Sequence, residues 1–276
     1  MRDKKNVLFV TYYWPPAGGA SVNRIINFAK NLPDLDWNPI ILTVEKGDYH
    51  TLDTSLENEI AGRFKVVKSG SVSFFPVIKK LTGDKKITSP KSFTDQTDTS
   101  LKTRIARWLK SNIIPDTRIF WAPMAIRAGS DIIKTQQIDL IFSSSPPQTN
   151  HIVAAKLSKR HNIPWLADLR DPWTEMYWNH EQSVRLRWIN AIDKRLESST
   201  LDQATQITTV GPGYKDVILD KTSTDIQVIY NGFDEKVDRS EKTKKRDDGT
   251  LHLVYAGSMS YQQRPTGLFR ALQRLM

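Results

Sequence analysis

The chain contains no cysteine among its 276 residues. Disulfide bonds, thiolate nucleophiles and zinc held by cysteine are therefore excluded, and a reducing compartment is consistent with the composition. The chain also lacks any run approaching the roughly 20 apolar residues that a membrane-spanning helix requires. The five residues after Met1 are polar, and the apolar run that follows, at 7–10, is too short for a signal peptide. We therefore expect a cytoplasmic protein.

Negative charge is in deficit, because the formal net charge is +10. A basic excess suits a solvated surface, an anionic membrane or a nucleic acid. The positive charge is spread along the chain, and no aromatic side chains interleave with it at the spacing of a nucleic-acid motif. We expect no nucleic-acid partner, while a plain basic surface and peripheral contact with the inner face of the cell membrane both stay open.

Strand-like and helix-like segments alternate along the chain. Several of the strands are continuous apolar runs, as in a parallel sheet covered on both faces. This order predicts an α/β protein with a Rossmann-like, doubly wound parallel sheet. The predicted strands are Asn6–Thr11, Pro39–Val44, Phe64–Lys68, Asp139–Ser143, Trp165–Asp168, Gln206–Val210, Gln227–Ile229 and Leu251–Tyr255; the predicted helices are Ser21–Leu32, Leu101–Asn112, Met124–Thr135, Thr149–His161, Val184–Leu201 and Tyr214–Leu219.

The same opening, a strand followed by a glycine turn and a helix, occurs near both ends of the chain. We predict a first domain at 1–234, a charged linker at 235–250, and the first βα unit of an incomplete second Rossmann-like domain at 251–276. The polar stretch at 69–100 is too long for an ordinary connection and is interpreted as an insertion. The basic amphipathic helix at 101–112 carries Trp108, and either membrane contact or packing on the sheet explains that face.

Gly18 and Gly19 lie between the first strand and the first helix. Paired glycines let the backbone approach a ligand, and the helix N-terminus favours an anion there, although a plain tight turn explains them equally well. The spacing is neither Gly-x-Gly-x-x-Gly nor a Walker loop, which disfavours a nicotinamide cofactor and a P-loop NTPase.

Polar residues follow two predicted strands at the edge where parallel sheets bind ligands. Asp168, Arg170 and Asp171 follow one strand, and we expect the guanidinium to lock the two carboxylates, either as a structural knot or as a wall of the acceptor site. The two aspartates lack a third ligand, so no metal is expected. His151 opens the helix after another strand; the helix dipole favours its neutral form, and its position is either incidental or functional.

Near the C-terminus, Gly257 and Ser258 end the last predicted strand and Arg264 follows. A close backbone approach, a hydroxyl and a charge suit a diphosphate, although a tight turn with a surface arginine fits equally.

Together these motifs resemble family 4 glycosyltransferases of the GT-B fold. The resemblance rests on a set of short strings in the family's order: Pro15-Pro16-Ala17-Gly18-Gly19, Pro115-Asp116 with Trp121, Ser145-Pro146-Pro147 with His151, Ala167-Asp168-Leu169-Arg170-Asp171-Pro172-Trp173, Thr208-Thr209-Val210, Asn231-Gly232-Phe233-Asp234 and Tyr255-Ala256-Gly257-Ser258. It implies retaining transfer of a sugar from a nucleotide-sugar to a glycan or lipid-linked acceptor in polysaccharide biosynthesis, without a cofactor or bound metal.

The resemblance also implies roles for single residues. Gly18, Gly19, Gly257, Ser258 and Arg264 would bind the donor diphosphate. His151 and Asp168 would be the catalytic candidates, and Arg170 and Asp171 would lie on the acceptor side.

This chain departs from the family pattern in its second domain. The acidic element of the family's donor site has no counterpart before Met276, and Ser258 stands where a clamp arginine is usual. We therefore expect a truncated protein that is inactive alone. The alternative is a non-catalytic module that binds an acceptor, a membrane or a partner.

Overall fold

The computed structural model describes residues 4–49, 51–72, 101, 108, 111–175, 186–232, 249–250, 252–256 and 264–275. The chain forms two compact units, Met1–Gly232 and Phe233–Met276, which are described separately. The predicted insertion at 69–100 and the predicted helix at 101–112 lie mostly outside the described residues, as does the predicted linker at 235–250.

The described part of the first unit is built on one parallel sheet of seven strands in the order β3-β2-β1-β4-β5-β6-β7. Strands β1 to β3 extend to one side of β4, and β5 to β7 to the other, so the sheet is doubly wound. This confirms the α/β, Rossmann-like fold class. The strands are β1 Lys5–Val10, β2 Trp37–Val44, β3 Lys65–Ser69, β4 Leu140–Ser145, β5 Trp165–Leu169, β6 Gln206–Thr209 and β7 Ile226–Val228.

Helices connect the strands and cover both faces of the sheet. The α-helices are α1 Ala20–Asn31, α2 Thr54–Ile60, α3 Ala122–Thr135, α4 Thr149–His161, α5 Arg187–Leu201 and α6 Pro212–Leu219, with α7 Thr266–Leu275 in the second unit; short 3-10 helices occupy Leu32–Leu35 and Thr117–Trp121. Two buried apolar clusters result. Leu8 and Val10 belong to the cluster that includes residues of α3 and α4, while Val7 and Phe9 belong to the cluster under α1, because successive side chains of a strand point to opposite faces.

Most predicted elements of the first unit are confirmed to within three residues. Helix α2 was not predicted, although Asp53 accepts hydrogen bonds from the amides of Ser55 and Leu56 as a helix N-cap. Strand β4 continues two residues past Ser143, the predicted end.

The predicted strand at Leu251–Tyr255 is wrong for its described part. Residues 252–256 adopt no regular structure and are exposed. A strand of a parallel sheet pairs with a neighbouring strand, and the described residues of the second unit contain no strand.

Candidate functional site

The strand order creates an opening between β1 and β4. At this point the order of successive strands reverses, because β2 and β3 lie beyond β1 on one side and β5 to β7 lie beyond β4 on the other. Ligands of doubly wound sheets bind outside the carboxyl ends of the strands at such a switch point. Asn150, in the first turn of α4, spans this opening: its Oδ1 accepts from the Tyr12 amide at 3.0 Å and its Nδ2 donates to the Ser144 carbonyl at 2.7 Å. The side chain is buried, so it fixes the separation of the two diverging strands.

Three consecutive serines at the end of β4 direct hydroxyls to both faces of the sheet. Ser144 bonds to Asp168 at 2.7 Å on one face, whereas Ser143 bonds to the indole of Trp165 and to the imidazole of His151 on the other. The alternation follows from the strand pleat. Two separate polar clusters therefore lie back to back at the carboxyl edge.

The first cluster is centred on an ion pair between α1 and β5. The Arg24 guanidinium contacts Asp168 through two nitrogens, Nε to Oδ2 at 3.1 Å and Nη2 to Oδ1 at 2.8 Å. Its Nη1 donates to the Tyr230 carbonyl at 3.3 Å and to Asn231 Oδ1 at 3.0 Å. Arg24 thus ties the helix after the glycine loop to β5 and to the segment after β7. We call Arg24, Ser144, Asp168, Thr208 and Asn231 the Arg24 cluster.

Every acceptor position of the Asp168 carboxylate is used inside this cluster. Besides the two bonds from Arg24, Oδ2 accepts from Ser144 at 2.7 Å and Oδ1 accepts from Thr208 at 2.8 Å. A carboxylate offers about four such positions, and Asp168 is fully buried. The group therefore holds Arg24 in place and has no lone pair left for a substrate.

Arg24 was not predicted as a site residue, and its position in the sequence explains why. Val22, Ile26 and Ala29 form the buried stripe of α1, and at helical spacing Arg24 lies on the opposite side. The helical pattern therefore predicts an exposed side chain at Arg24. Tyr230 and Asn231, more than 200 positions later, cover it, and only the Asn-Gly-Phe-Asp string signalled that region.

The second cluster contains His151, which is fully buried beneath the sheet edge. The Trp165 indole donates to Ser143 Oγ at 2.8 Å, and Ser143 Oγ lies 2.7 Å from His151 Nδ1. Ser143 Oγ already accepts from the indole. When its own hydroxyl proton is donated to Nδ1 of His151, the imidazole proton is on Nε2. His151 Nε2 is buried and has no partner among the described residues. Burial lowers the pKa of His151 to about 3, so the ring is neutral at neutral pH.

Arg170 does not lock Asp168 and Asp171 together, contrary to the expectation from the sequence. Its Nε donates to the Ser145 carbonyl at 2.8 Å and its Nη2 to the Pro146 carbonyl at 2.5 Å. Asp168 faces α1 and forms its ion pair with Arg24. Arg170 therefore binds the loop after β4 instead. Burial lowers the pKa of Arg170 to about 10, so the guanidinium stays charged at neutral pH.

Asp171 is half-buried on the loop after β5 and takes part in no ion pair among the described residues. Burial raises the pKa of its carboxyl group, and the nearby Arg170 opposes this shift. Of the two predicted acceptor-side residues, Asp171 is the one whose polar atoms are not committed to the loop backbone.

The glycine loop after β1 has two different requirements for glycine. A Cβ on Gly18 would lie 2.8 Å from the Asp53 Cβ, because the loop is held against the start of α2 by the bonds from the Gly18 amide to the Thr51 carbonyl and from the Asp53 amide to the Pro16 carbonyl. Gly19 precedes α1 with φ 108° and ψ 166°, a conformation that is essentially restricted to glycine. A Cβ there would meet nothing within 4 Å, so Gly19 is an open, exposed approach to the helix N-terminus.

Asp116 and Arg118 hold the loops on the other side of the opening. Asp116 accepts from the Arg118 amide and from the amide and hydroxyl of Thr149, at 2.8, 2.9 and 2.9 Å. It therefore caps α4, and burial raises the pKa of its carboxyl group. Arg118 donates to the Asp48 carbonyl at 2.9 Å and lies 5.3 Å from the centre of the Tyr12 ring. This pair supports the loops after β1 and β2.

Comparison with protein families decides the identity of this arrangement. The sequence model of Glycosyltransferase Family 4 matches residues 91–237, which is more than half of the chain. The chain belongs to glycosyltransferase family 4. The matched range contains the other members of the Arg24 cluster, Ser144, Asp168, Thr208 and Asn231. It also contains the His151 cluster and the loop of Arg170 and Asp171. The family resemblance and the GT-B assignment made from the sequence motifs agree with this membership.

Three solved structures resemble the family 4 chain at low sequence identity. They are Anabaena Alr3699/HepE in complex with UDP and glucose (15% identity, 83% of this chain and 45% of that chain, TM-score 0.46), Acinetobacter baumannii MurG (12%, 76% and 42%, 0.35) and Phytolacca americana UGT2 complexed with UDP-2fluoro-glucose and pterostilbene (8%, 85% and 56%, 0.48). The chain spans about half the length of these structures. A search of curated protein sequences found no significant match.

The remaining site predictions for the family 4 chain concern its second unit. Gly257 and Ser258 lie outside the described residues, and Arg264 is exposed just before α7. In the described ranges no three metal-ligating side chains lie together, and the absence of a metal stays a prediction. No helix in those ranges is both long and apolar enough to cross a bilayer.

Proposed function

We propose that this chain is the acceptor-side part of a glycosyltransferase that moves a sugar, with retention of configuration, from a nucleotide-sugar to a glycan or lipid-linked acceptor. The observation that carries the proposal is the carboxyl edge of the sheet in a family 4 chain. The exposed Gly19, with its positive φ, opens the N-terminus of α1, and the buried Arg24 cluster anchors the same helix. Retention is proposed on family membership alone.

The glycine loop is proposed to face the donor diphosphate. A helix N-terminus with an unobstructed backbone stabilises negative charge without reorganisation, and charge develops on the diphosphate as it leaves the sugar. Gly257, Ser258 and Arg264 of the second unit are also proposed as residues that bind the donor diphosphate.

His151 is proposed to act as a neutral donor. In the tautomer that accepts from Ser143, the proton is on Nε2. With a pKa of about 3, this neutral ring is proposed to donate a hydrogen bond to a sugar hydroxyl at neutral pH without taking up charge. A neutral imidazole is too weak an acid to serve as a general acid. The proposed contribution of His151 is therefore to bind and orient the sugar hydroxyl.

Asp168 is proposed to act through Arg24. Its carboxylate is saturated by four hydrogen bonds, so it is a positioning residue for α1 and for the segment at 230–231. Asp171 and Arg170 are proposed to form the acceptor side, with Arg170 shaping the loop after β4 and Asp171 presenting a carboxylate to an acceptor hydroxyl.

An enzyme that uses a lipid-linked acceptor acts at a membrane surface. We propose peripheral contact with the anionic inner face of the cell membrane, supported by the net charge of +10. No metal or cofactor is proposed for the reaction, and no nucleic-acid partner is proposed.

The test compares the chain as it stands with a version that carries a complete donor-binding domain. Calorimetry measures binding of UDP- and GDP-sugars, and transfer of labelled sugar to a lipid-linked acceptor measures activity. We expect binding and turnover only when the donor-binding domain is present, with the product's anomeric configuration by NMR matching the donor. Inversion would remove the retaining mechanism, and robust turnover by the chain alone would refute its role as one half of the enzyme.

The alternative is a non-catalytic module that binds an acceptor, a membrane or a partner. One observation favours it: where the donor-binding domain is expected to begin, residues 252–256 form no strand. If the version with a complete donor domain binds no nucleotide-sugar and transfers nothing, this alternative replaces the enzyme.

A further inference from the structure

Helix α5 carries its acidic residues on its buried side and large apolar residues on its exposed side. Its only acidic residues, Asp193 and Glu197, are each 1% exposed, whereas Trp188 is 61% and Ile192 48% exposed. At helical spacing Trp188, Ile192 and Arg195 share one face, and the two acids lie opposite them. The outer face of the helix is therefore apolar and cationic.

The buried acids explain why α5 is held in this orientation. Asp193 Oδ1 accepts from the Trp173 indole at 3.1 Å, and Glu197 accepts from the Thr174 hydroxyl. Glu175 pairs with Lys194 at 2.8 Å. Three consecutive residues after the Arg170–Asp171 loop are thus clamped to α5, and rotating the helix to bury Trp188 would break all three contacts.

A second exposed tryptophan adjoins the start of α5. The Leu186 amide donates to Asn112 Oδ1 at 3.2 Å, and Asn112 Nδ2 donates to the Trp108 carbonyl at 2.7 Å. Trp108 is 40% and Leu186 is 38% exposed. We call Trp108, Leu186, Trp188 and Ile192, with the flanking Arg187 and Arg195, the α5 face.

We infer that the α5 face docks on the surface of an anionic lipid bilayer. Helices that lie in a membrane interface combine exposed tryptophan and isoleucine with flanking arginine. The described part of α5 shows this pattern and exposes no acidic residue. The net charge of +10 is complementary to anionic headgroups. The inference deepens the membrane contact of the proposed function by naming its surface, and places the clamped loop beside the lipid.

The test is co-sedimentation of the full chain with vesicles of phosphatidylcholine alone or mixed with phosphatidylglycerol. We expect binding to the mixed vesicles that weakens with added salt. The double variant Arg187→Gln/Arg195→Gln should lower the partition coefficient about tenfold or more. Trp188→Ser/Ile192→Ser should lower it to a similar degree, and thermal unfolding should show that the variants remain folded, because both side chains are exposed.

Matched controls separate the α5 face from general effects. Lys134→Gln/Lys156→Gln removes the same charge from α3 and α4, and Leu35→Ser removes an apolar side chain that is 69% exposed elsewhere; both should bind nearly as well as the parent. Equal binding by all variants would overturn the inference, as would no binding to either vesicle. Self-association lost in Trp188→Ser/Ile192→Ser would also overturn it, by assigning the face to a second copy.

Sugar transfer is measured separately, on a water-soluble acceptor without vesicles and with the donor-binding domain present. The α5 variants should leave that rate unchanged. If transfer is absent while vesicle binding depends on the α5 face, only the proposed enzymatic function fails.

Discussion

At the scale of the residue, the Arg24–Asp168 ion pair is the contact whose loss should cost most. We predict that Arg24→Met lowers the free energy of unfolding by about 3 kcal/mol or more, because it leaves the buried Asp168 carboxylate without its counter-charge. Denaturant unfolding measures this. Adding Asp168→Asn to the same variant should recover part of the loss, since the remaining group is then neutral. A loss below about 1 kcal/mol for Arg24→Met would contradict the buried ion pair.

The second residue-scale prediction concerns His151 and pH. Its folded pKa of about 3 lies below the ordinary value of 6.5, so between these values the unfolded chain binds a proton that the folded chain does not. The associated stability is fully present above pH 6.5 and is lost as the pH falls toward 3, by at most about 1.4 kcal/mol per pH unit.

The measurement is the difference in unfolding free energy between the parent and His151→Asn across this range. Asparagine can still accept from Ser143 through its amide oxygen, and carboxyl groups titrate in both proteins. We expect the parent to show the steeper pH dependence. Parallel curves would mean that His151 has the same pKa in the folded and unfolded chains, which would contradict its burial as a neutral ring.

At the scale of the element, helix α1 and its glycine loop form the unit on which the proposed chemistry depends. We predict that Gly19→Val lowers transfer about a hundredfold in a protein with both domains, since a displaced loop misplaces the diphosphate. Valine at φ 108° costs about 1–3 kcal/mol, and no neighbour lies within 4 Å of the new Cβ, so the fold should remain.

Gly211 offers a matched control, because it also precedes a helix, α6. Its φ of −170° is open to any residue and a Cβ would meet nothing within 4 Å. Gly211→Val should therefore keep both the transfer rate and the stability of the parent. If Gly19→Val transfers sugar at the parent rate, the loop does not contact the donor.

At the scale of the whole molecule, the first unit should fold by itself. All seven described strands and both apolar clusters lie within Met1–Gly232. We predict that a chain ending at Gly232 unfolds cooperatively at nearly the same denaturant midpoint as the full chain.

A chain ending at Ile229 is the control for this prediction. It lacks the Tyr230 carbonyl and the Asn231 side chain that accept from Arg24, and hydrogen bonds to a charged group contribute about 2 kcal/mol. It should be less stable than the chain ending at Gly232 by about that amount. Equal stabilities would show that residues 230–231 do not hold Arg24.

Local patterns were sufficient for the fold and for part of the site. Continuous apolar runs predicted buried parallel strands, and the residues following those strands pointed to the carboxyl edge at Ser145, Asp168 and Arg170. They could not predict partners across the sheet. The sequence predicts that Arg170 pairs with Asp168 and Asp171, whereas Arg170 binds the loop after β4 and Asp168 pairs with Arg24 of α1.

The sequence by itself determined the α/β class, the order of the motifs along the chain and the glycine turn before α1, because propensity, burial pattern and turn chemistry are local. Only the tertiary structure decided that Arg24 is buried, that His151 is neutral beneath the sheet edge, and that α5 turns its acids inward and Trp188 outward. Each of these depends on residues tens to hundreds of positions apart. Their desolvation and pairing exist only once the strands have assembled.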